Sequence, residues 1–106
     1  MARARQVARP RESQVEASLV RFAKESGVYT RKFASPARRG VPDRIFVYRG
    51  RVLFLEVKRP GEEPTPLQLH ELGLLRAAGA NADWCDNADR GRCLIIDTLI
   101  HPSPLL

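Results

Sequence analysis

The stretch GVPDRIFVYRGRVLFLEVK, residues 40–58, carries the clearest structural pattern in the chain. Two runs of β-branched and aromatic residues, 44–48 and 51–55, flank the pair Arg49-Gly50, and this arrangement predicts a β-hairpin. Arg49 must then take positive φ, which makes the turn weaker than an Asn-Gly turn. Both faces of the hairpin are apolar, so we expect a central pair of strands with helices covering each side.

A two-residue loop fixes which residues of the hairpin face each other. Tyr48 pairs with Arg51, so Asp43 falls opposite Glu56, and Lys58 points to the same face. Two adjacent carboxylates repel each other, and a hard divalent cation such as Mg²⁺ removes that repulsion. A lysine beside them can hold a water or stabilise developing negative charge. The alternative is a solvated salt bridge at a strand end.

The two halves of this pattern resemble a known signature. Pro42-Asp43 followed by Glu56-Val57-Lys58 resembles the motif of the PD-(D/E)XK nucleases, and the wider context in residues 38–44 and 56–61 is similar to their VRR-NUC branch. The resemblance covers about residues 12 to 100, and small phage and bacterial members consist of little more than this domain. It implies an α/β restriction-endonuclease-like fold, an α-β-β-β-α-β core with a mixed sheet flanked by helices.

The resemblance also implies a function. It implies a metal-dependent, structure-directed DNA endonuclease that hydrolyses phosphodiester bonds and resolves four-way (Holliday) junctions as a homodimer. Mg²⁺, with Mn²⁺ as a substitute, would be held by Asp43, Glu56 and the Val57 carbonyl, with Lys58 assisting catalysis.

Many nucleases of this fold add a glutamate from the first helix. Glu16 fits that position best, with Glu12 one turn earlier as the competitor. Alternatively, Glu16 only caps the helix.

Further site residues are predicted from the same resemblance and from the positions of the arginines. Gln68, in a segment that resembles the family's post-EVK motif, is expected near the active site, or else is an ordinary polar helix residue. Arginine pairs suit phosphate recognition, and the predicted DNA contacts are Arg38, Arg39, Arg44 and Arg59. A solvated charge pair in the loop is the alternative for the first two.

Composition limits the function classes. The 106 residues carry a formal charge of +6 and a pI near 10.1, which favours a polyanionic partner. Residues 1–11 are predicted to be a basic flexible arm, and residues 12–106 a single domain. No apolar run approaches the ~18 residues of a membrane span, so we expect a cytoplasmic protein of a bacterial cell or phage-infected host. Cys85 and Cys93 form no metal quartet with the two histidines.

The remaining elements follow from local signals. A first helix is predicted over residues 12–26, with Ser13 as N-cap and Glu16 completing a capping box. A strand is predicted over 28–33, a helix between Thr65-Pro66 and Gly79, and a strand over 82–85 that returns parallel to the sheet. Residues 87–100 fit either a helix or a strand.

The leucine content of the second helix exceeds what one small sheet needs. Leucines between residues 67 and 75, together with Ile95, Leu99 and Ile100, are therefore the predicted dimer surface. Three other functions stay open: a non-cutting nucleic-acid-binding module, a flap or single-strand nuclease of the same fold, and an interaction protein accessory to recombination.

Overall fold

The computed structural model describes residues 10–103. The predicted basic arm, residues 1–11, lies outside the described residues apart from Pro10 and Arg11. In chain order the elements are α1 (Glu12–Glu25), β1 (Tyr29–Lys32), β2 (Arg44–Tyr48), β3 (Arg51–Val57), α2 (Pro66–Ala77), β4 (Asn81–Cys85) and α3 (Ala88–Ile95), which continues as a π-helical turn over Ile96–Ile100. This order confirms the predicted α-β-β-β-α-β arrangement of elements. It also shows that the segment left open at residues 87–100 is helical.

The four strands form one mixed sheet in the order β1-β2-β3-β4. The first three strands pair antiparallel, and β4 returns parallel to β3 after α2, as predicted. In the hairpin, Tyr48 pairs with Arg51 and Arg44 with Leu55, which confirms the predicted register. The loop residues Arg49 and Gly50 have φ of 50° and 79°. Positive φ at both central residues is what a type I′ turn requires.

Helices cover the two faces of the sheet unequally. On the face beneath α1 and α3, Phe46, Leu53 and Leu55 are at most 1% exposed, and burying each side chain contributes roughly 1.5–3 kcal/mol. On the opposite face α2 packs mainly against β4 and buries Leu72. The residues that stay half-buried there are Ile45, Val47, Val52 and Phe54. The prediction of full helical cover therefore holds for one face only.

The start of α1 differs from the prediction. Arg11, not Ser13, is the N-cap, and its backbone N–H donates to Gln14 Oε1 at 2.7 Å. The predicted capping box of Ser13 and Glu16 is therefore wrong, because Gln14 already satisfies the backbone two residues earlier. The end of the helix agrees with the sequence, since Gly27 follows it with φ of 73°.

The start of α2 follows the sequence. The Thr65 hydroxyl accepts from the Gln68 N–H at 3.2 Å, and Gln68 Oε1 accepts from the Thr65 N–H at 2.8 Å. This capping box, with Pro66 at the first helical position, fixes where the helix begins. Among residues 10–103, no helix is both long and apolar enough to cross a membrane.

Candidate active site

Three carboxylates meet at the open end of the hairpin. Asp43 immediately precedes β2, and the register that pairs Arg44 with Leu55 brings it beside Glu56 of β3. Glu12, the first residue of α1, joins them, and one carboxylate oxygen of each residue lies within 4.8 Å of the other two. We call Glu12, Asp43 and Glu56 the carboxylate cluster. The sequence predicted the two hairpin members, and it named Glu12 only as an alternative.

Glu56 is the buried member of the cluster, with 2% of its surface exposed. Its Oε1 accepts a hydrogen bond from the Gln68 side-chain amide at 3.3 Å, while Oε2 accepts no hydrogen bond from the described residues. Burial, a hydrogen bond with Asp43 and the charge of Asp43 raise the pKa of Glu56 to about 9, and Lys58 opposes this shift. A buried carboxylate oxygen without a partner is costly. Oε2 is therefore an acceptor open to a ligand.

The other two carboxylates are held from different elements. Asp43 Oδ2 accepts from the Val57 backbone N–H at 2.8 Å, which orients the carboxylate across the strand pair. Desolvation and the nearby Asp43 raise the pKa of Glu12, and Lys58 lowers it. Lys58 thus acts electrostatically on both Glu12 and Glu56. Its role in an acid–acid–lysine set stays a prediction.

The donor set fits a hard divalent cation. Magnesium prefers oxygen ligands, and carboxylates are its usual protein ligands. Three carboxylates in one place repel each other unless protons or a cation neutralise them. The pKa values of Glu12 and Glu56 are raised first by burial and then by this repulsion from Asp43. Oε2 of Glu56 accepts no hydrogen bond from residues 10–103, so it would be available as a ligand atom once Glu56 is ionised. Within residues 10–103 this is the one group of three or more potential metal ligands.

Glu16, the predicted helix carboxylate, lies outside the cluster. Its Oε2 contacts Arg44 Nη1 at 2.7 Å and Lys32 Nζ at 3.2 Å, so both sheet cations compete for it. The geometry favours Glu12, the competitor one turn earlier. Sequence spacing could not choose between two glutamates on the same helix face.

The four arginines predicted to contact DNA differ from one another in exposure and in their partners. Arg44 is 8% exposed and donates to Glu16 and to the Thr30 hydroxyl, so its prediction as a DNA contact is wrong. Arg39 and Arg59 are exposed, and Arg59 contacts Glu62 at 2.7 Å.

Arg38 remains 56% exposed while its Nε donates to Glu71, a buried residue of α2. The sequence gives no signal for this pairing, which joins residues far apart in the chain.

The loop ahead of Asp43 is fixed to α2 at a second point. Gly40 has φ of 84°, and a Cβ added there would lie 2.8 Å from Leu67 Cγ and 3.1 Å from the Leu67 carbonyl oxygen. The missing side chain of Gly40 therefore permits a close approach of this loop to α2. Together with the ion pair of Arg38 and Glu71, it fixes the segment that delivers Asp43 to the cluster.

The cysteines take no part in the site. Cys85 is buried in the core, and burial raises the pKa of its thiol to about 12. Cys93 is exposed on α3. Neither belongs to the group of potential metal ligands in the described part of the chain.

The chain is similar to known proteins both in sequence and in fold. No protein-family model matches the chain. The chain is 44% identical over 80 residues to "Putative nuclease p44" of Acyrthosiphon pisum secondary endosymbiont phage 1, a match that covers 74% of this chain and 86% of that protein.

Two solved structures are similar in fold. A "VRR_NUC domain" superposes with a TM-score of 0.73 at 30% identity, over 79% of this chain and 92% of the other. A "VRR_NUC domain protein" superposes with a TM-score of 0.75 at 17% identity, over 91% of this chain and 93% of the other.

Proposed function

This chain belongs to the VRR-NUC family of nucleases, and from that premise we propose that it is a magnesium-dependent, structure-directed DNA endonuclease. The observation that carries the proposal is the carboxylate cluster with Lys58 beside it. Glu12, Asp43 and Glu56 would hold Mg²⁺, or Mn²⁺ in its place, and the Val57 carbonyl is a further predicted ligand. The ion, when bound, would supply an activated water and a Lewis acid at the scissile phosphate.

The protein's own groups have separable tasks in this proposal. Gln68 donates to Glu56 and the Val57 N–H donates to Asp43, and these hydrogen bonds would orient the two carboxylates towards the cation. Lys58 places a positive charge where the pentavalent phosphorus gains negative charge, or holds the attacking water by a hydrogen bond. Glu16 takes no ligand role here. Its carboxylate neutralises the buried Arg44, the first residue of β2, which Asp43 immediately precedes.

In this proposal, Arg38 in the loop before Asp43 binds a DNA phosphate. Arg38 donates to Glu71 through Nε, and more than half of its side chain is exposed. A guanidinium held on one edge is oriented for bidentate contact on the other, which suits a phosphate. Arg39 and Arg59 are exposed near the same end of the sheet and would add further phosphate contacts.

Assembly as a homodimer extends the proposal to four-way junctions. Symmetric cleavage needs two sites, and this domain has room for one, so a second copy would supply the other. Leu67, Leu69 and Leu74 on α2 are 45–47% exposed, and the uncovered apolar sheet face lies on the same side of the molecule as α2. The other part of the predicted dimer surface is wrong, since Ile95 and Leu99 are fully buried in the core and Ile100 is half-buried against it. The proposed place of action is the cytoplasm of a bacterial cell or phage-infected host.

Cleavage of plasmid and four-way-junction DNA, with Mg²⁺ and with chelator, tests the proposal. Wild-type protein should cut only with the metal, and Asp43→Asn, Glu56→Gln and Lys58→Ala should each lose at least about a hundredfold in rate. Circular dichroism on every variant separates lost chemistry from lost folding. Cleavage by Asp43→Asn at the wild-type rate would overturn the assignment of the site. Metal-independent cutting would overturn the role of the cation.

A further inference from the structure

Two side chains of α2 contact the active-site hairpin and the loop that leads into it. Gln68 Nε2 donates to Glu56 Oε1 at 3.3 Å, and Glu71 forms an ion pair with Arg38. Gln68 and Glu71 are three residues apart, so they are neighbours on one side of the helix. This side of α2 therefore touches one hairpin carboxylate directly and the segment that precedes the other.

The Gln68 side chain is fixed to the helix that carries it. Its Oε1 accepts from the Thr65 N–H at 2.8 Å, which closes the capping box at the start of α2. The same amide group donates to Glu56 through Nε2. One end of the amide is thus held by the backbone that begins the helix, and the other end contacts the carboxylate cluster. The position of α2 and the position of the Glu56 carboxylate therefore depend on each other.

Glu71 is a buried carboxylate that the proposed chemistry does not use. It is 7% exposed, and its Oε1 accepts from Arg38 Nε. Within residues 10–103 this is the one ion pair that Glu71 forms. Removing one partner of a buried ion pair is strongly unfavourable, because the remaining charge stays buried without a counter-charge. The folded protein therefore keeps Arg38 against α2.

The loop that contains Arg38 needs such contacts to hold its shape. Residues 33–43 connect β1 to β2 and form no helix or strand of their own. Arg38 is held by its ion pair with α2, and Gly40 lies directly against Leu67 of the same helix. The chain continues from there to Asp43, which enters the carboxylate cluster. The approach to Asp43 is therefore fixed on α2 rather than on the sheet.

We propose that Glu71 is a positioning residue for the metal site. It holds the loop on α2 through Arg38, and α2 holds Glu56 through Gln68. One helix thus sets the place of Asp43 relative to Glu56. The inference rests on the proposed function, since it concerns the cation that the carboxylate cluster would bind. Glu71 is not a member of that cluster, so its effect on the cation passes through the geometry of other residues.

Calorimetric titration of Mg²⁺ into the metal-free protein, without DNA, tests the inference. Glu71→Gln keeps the shape of the side chain and removes its charge, and it should weaken binding of the cation by roughly tenfold, as is typical when a group that orients a metal ligand is lost. Asp83→Asn is the matched control, because it removes the carboxylate from another ion pair of α2, that of Asp83 with Arg76. The control should bind the cation like wild type.

Arg38→Gln separates positioning from simple electrostatics. If only charge mattered, loss of a nearby cation would strengthen the binding of Mg²⁺ or leave it unchanged. Positioning predicts the opposite, a loss like that of Glu71→Gln, because both variants release the loop. The double variant should lose no more than either single variant, since all three remove the same contact. Arg38→Lys keeps a cation for Glu71 and should restore most of the affinity.

Hydrogen exchange followed by mass spectrometry locates the effect in the metal-free protein. Glu71→Gln should speed the exchange of amides in residues 34–41 and leave β2 and β3 unchanged, because only the loop loses its contact. Circular dichroism shows whether each variant is folded. If Arg38→Gln does not fold, the double variant carries the same prediction, since it leaves no unpaired charge on either side.

The outcomes distinguish this inference from the proposed function. If wild type binds Mg²⁺ and Glu71→Gln binds it equally well, or Arg38→Gln binds it more tightly, the inference is wrong and the proposed function stands. Losses that add in the double variant, or weaker binding without faster exchange in the loop, would also overturn it. Wild-type protein that binds no divalent cation would overturn both, the proposed function first.

Discussion

Replacing Glu56 by glutamine should stabilise the metal-free protein while it destroys the active site. The folded protein holds the pKa of Glu56 at about 9, against an ordinary value of 4.5. At pH 7 the folded state therefore keeps a proton that the unfolded state has released. The cost covers the interval from 4.5 to pH 7, which at about 1.4 kcal/mol per unit is about 3 kcal/mol. A glutamine there carries no such cost. It can accept from Gln68 and donate to Asp43 with the same shape.

The sign of the effect sets the pH window. A raised carboxyl pKa contributes stability that is complete below about pH 4.5 and is lost progressively as the pH rises towards 9. The stability advantage of Glu56→Gln over wild type should therefore be near zero at pH 4.5 and grow by about 1.4 kcal/mol per pH unit to neutrality. Subtracting the variant curve from the wild-type curve removes every other titrating group from the comparison.

Urea unfolding in chelator, followed by circular dichroism at several pH values, measures this difference. Added Mg²⁺ should then stabilise wild type, because a ligand that binds only the folded state shifts the equilibrium by mass action. It should do nothing for Glu56→Gln. Parallel stability curves for the two proteins from pH 5 to 8 would refute the argument that burial and the neighbouring Asp43 hold Glu56 protonated.

Three other perturbations separate the structural contacts from the chemistry. Glu16→Gln should lower the free energy of unfolding by about 2–4 kcal/mol, since it leaves the buried Arg44 without its counter-charge, and urea unfolding measures that loss. Gly40→Ala should cost about 1–3 kcal/mol, because its Cβ would meet Leu67 at a positive φ, and unchanged stability would contradict the close approach. Leu74→Glu should convert the proposed dimer, about twice the 11.9 kDa chain mass, into a monomer, and light scattering measures the mass. Its free energy of unfolding should stay within ~0.5 kcal/mol of wild type. A wild-type protein that is already monomeric at micromolar concentration would contradict the dimer proposal.

The hairpin and its two acidic residues could be predicted because they depend on local rules. A two-residue loop sets the register, and the register alone brings Asp43 and Glu56 together. The environment of Arg44 also follows from a local rule. Strand alternation places it on the same face as Phe46, which is the buried face, so its partner had to be a carboxylate rather than DNA.

Other features depended on tertiary packing that local rules do not reach. Glu12 and Glu16 share one face of α1, and only the position of Arg44 and Lys32 decides which glutamate is left for the cluster. The ion pair of Arg38 with Glu71 joins a loop to a helix far along the chain and has no sequence signature.

Calorimetric titration of Mg²⁺ and Mn²⁺ into the metal-free protein tests the central claim most directly, with Glu12→Gln and Glu16→Gln compared side by side. The carboxylate cluster predicts that wild type binds the divalent cation, that Glu12→Gln binds it at least about tenfold more weakly, and that Glu16→Gln, where folded, binds it like wild type. Wild-type protein that takes up no divalent cation, or a loss of binding in Glu16→Gln with none in Glu12→Gln, would contradict the claim.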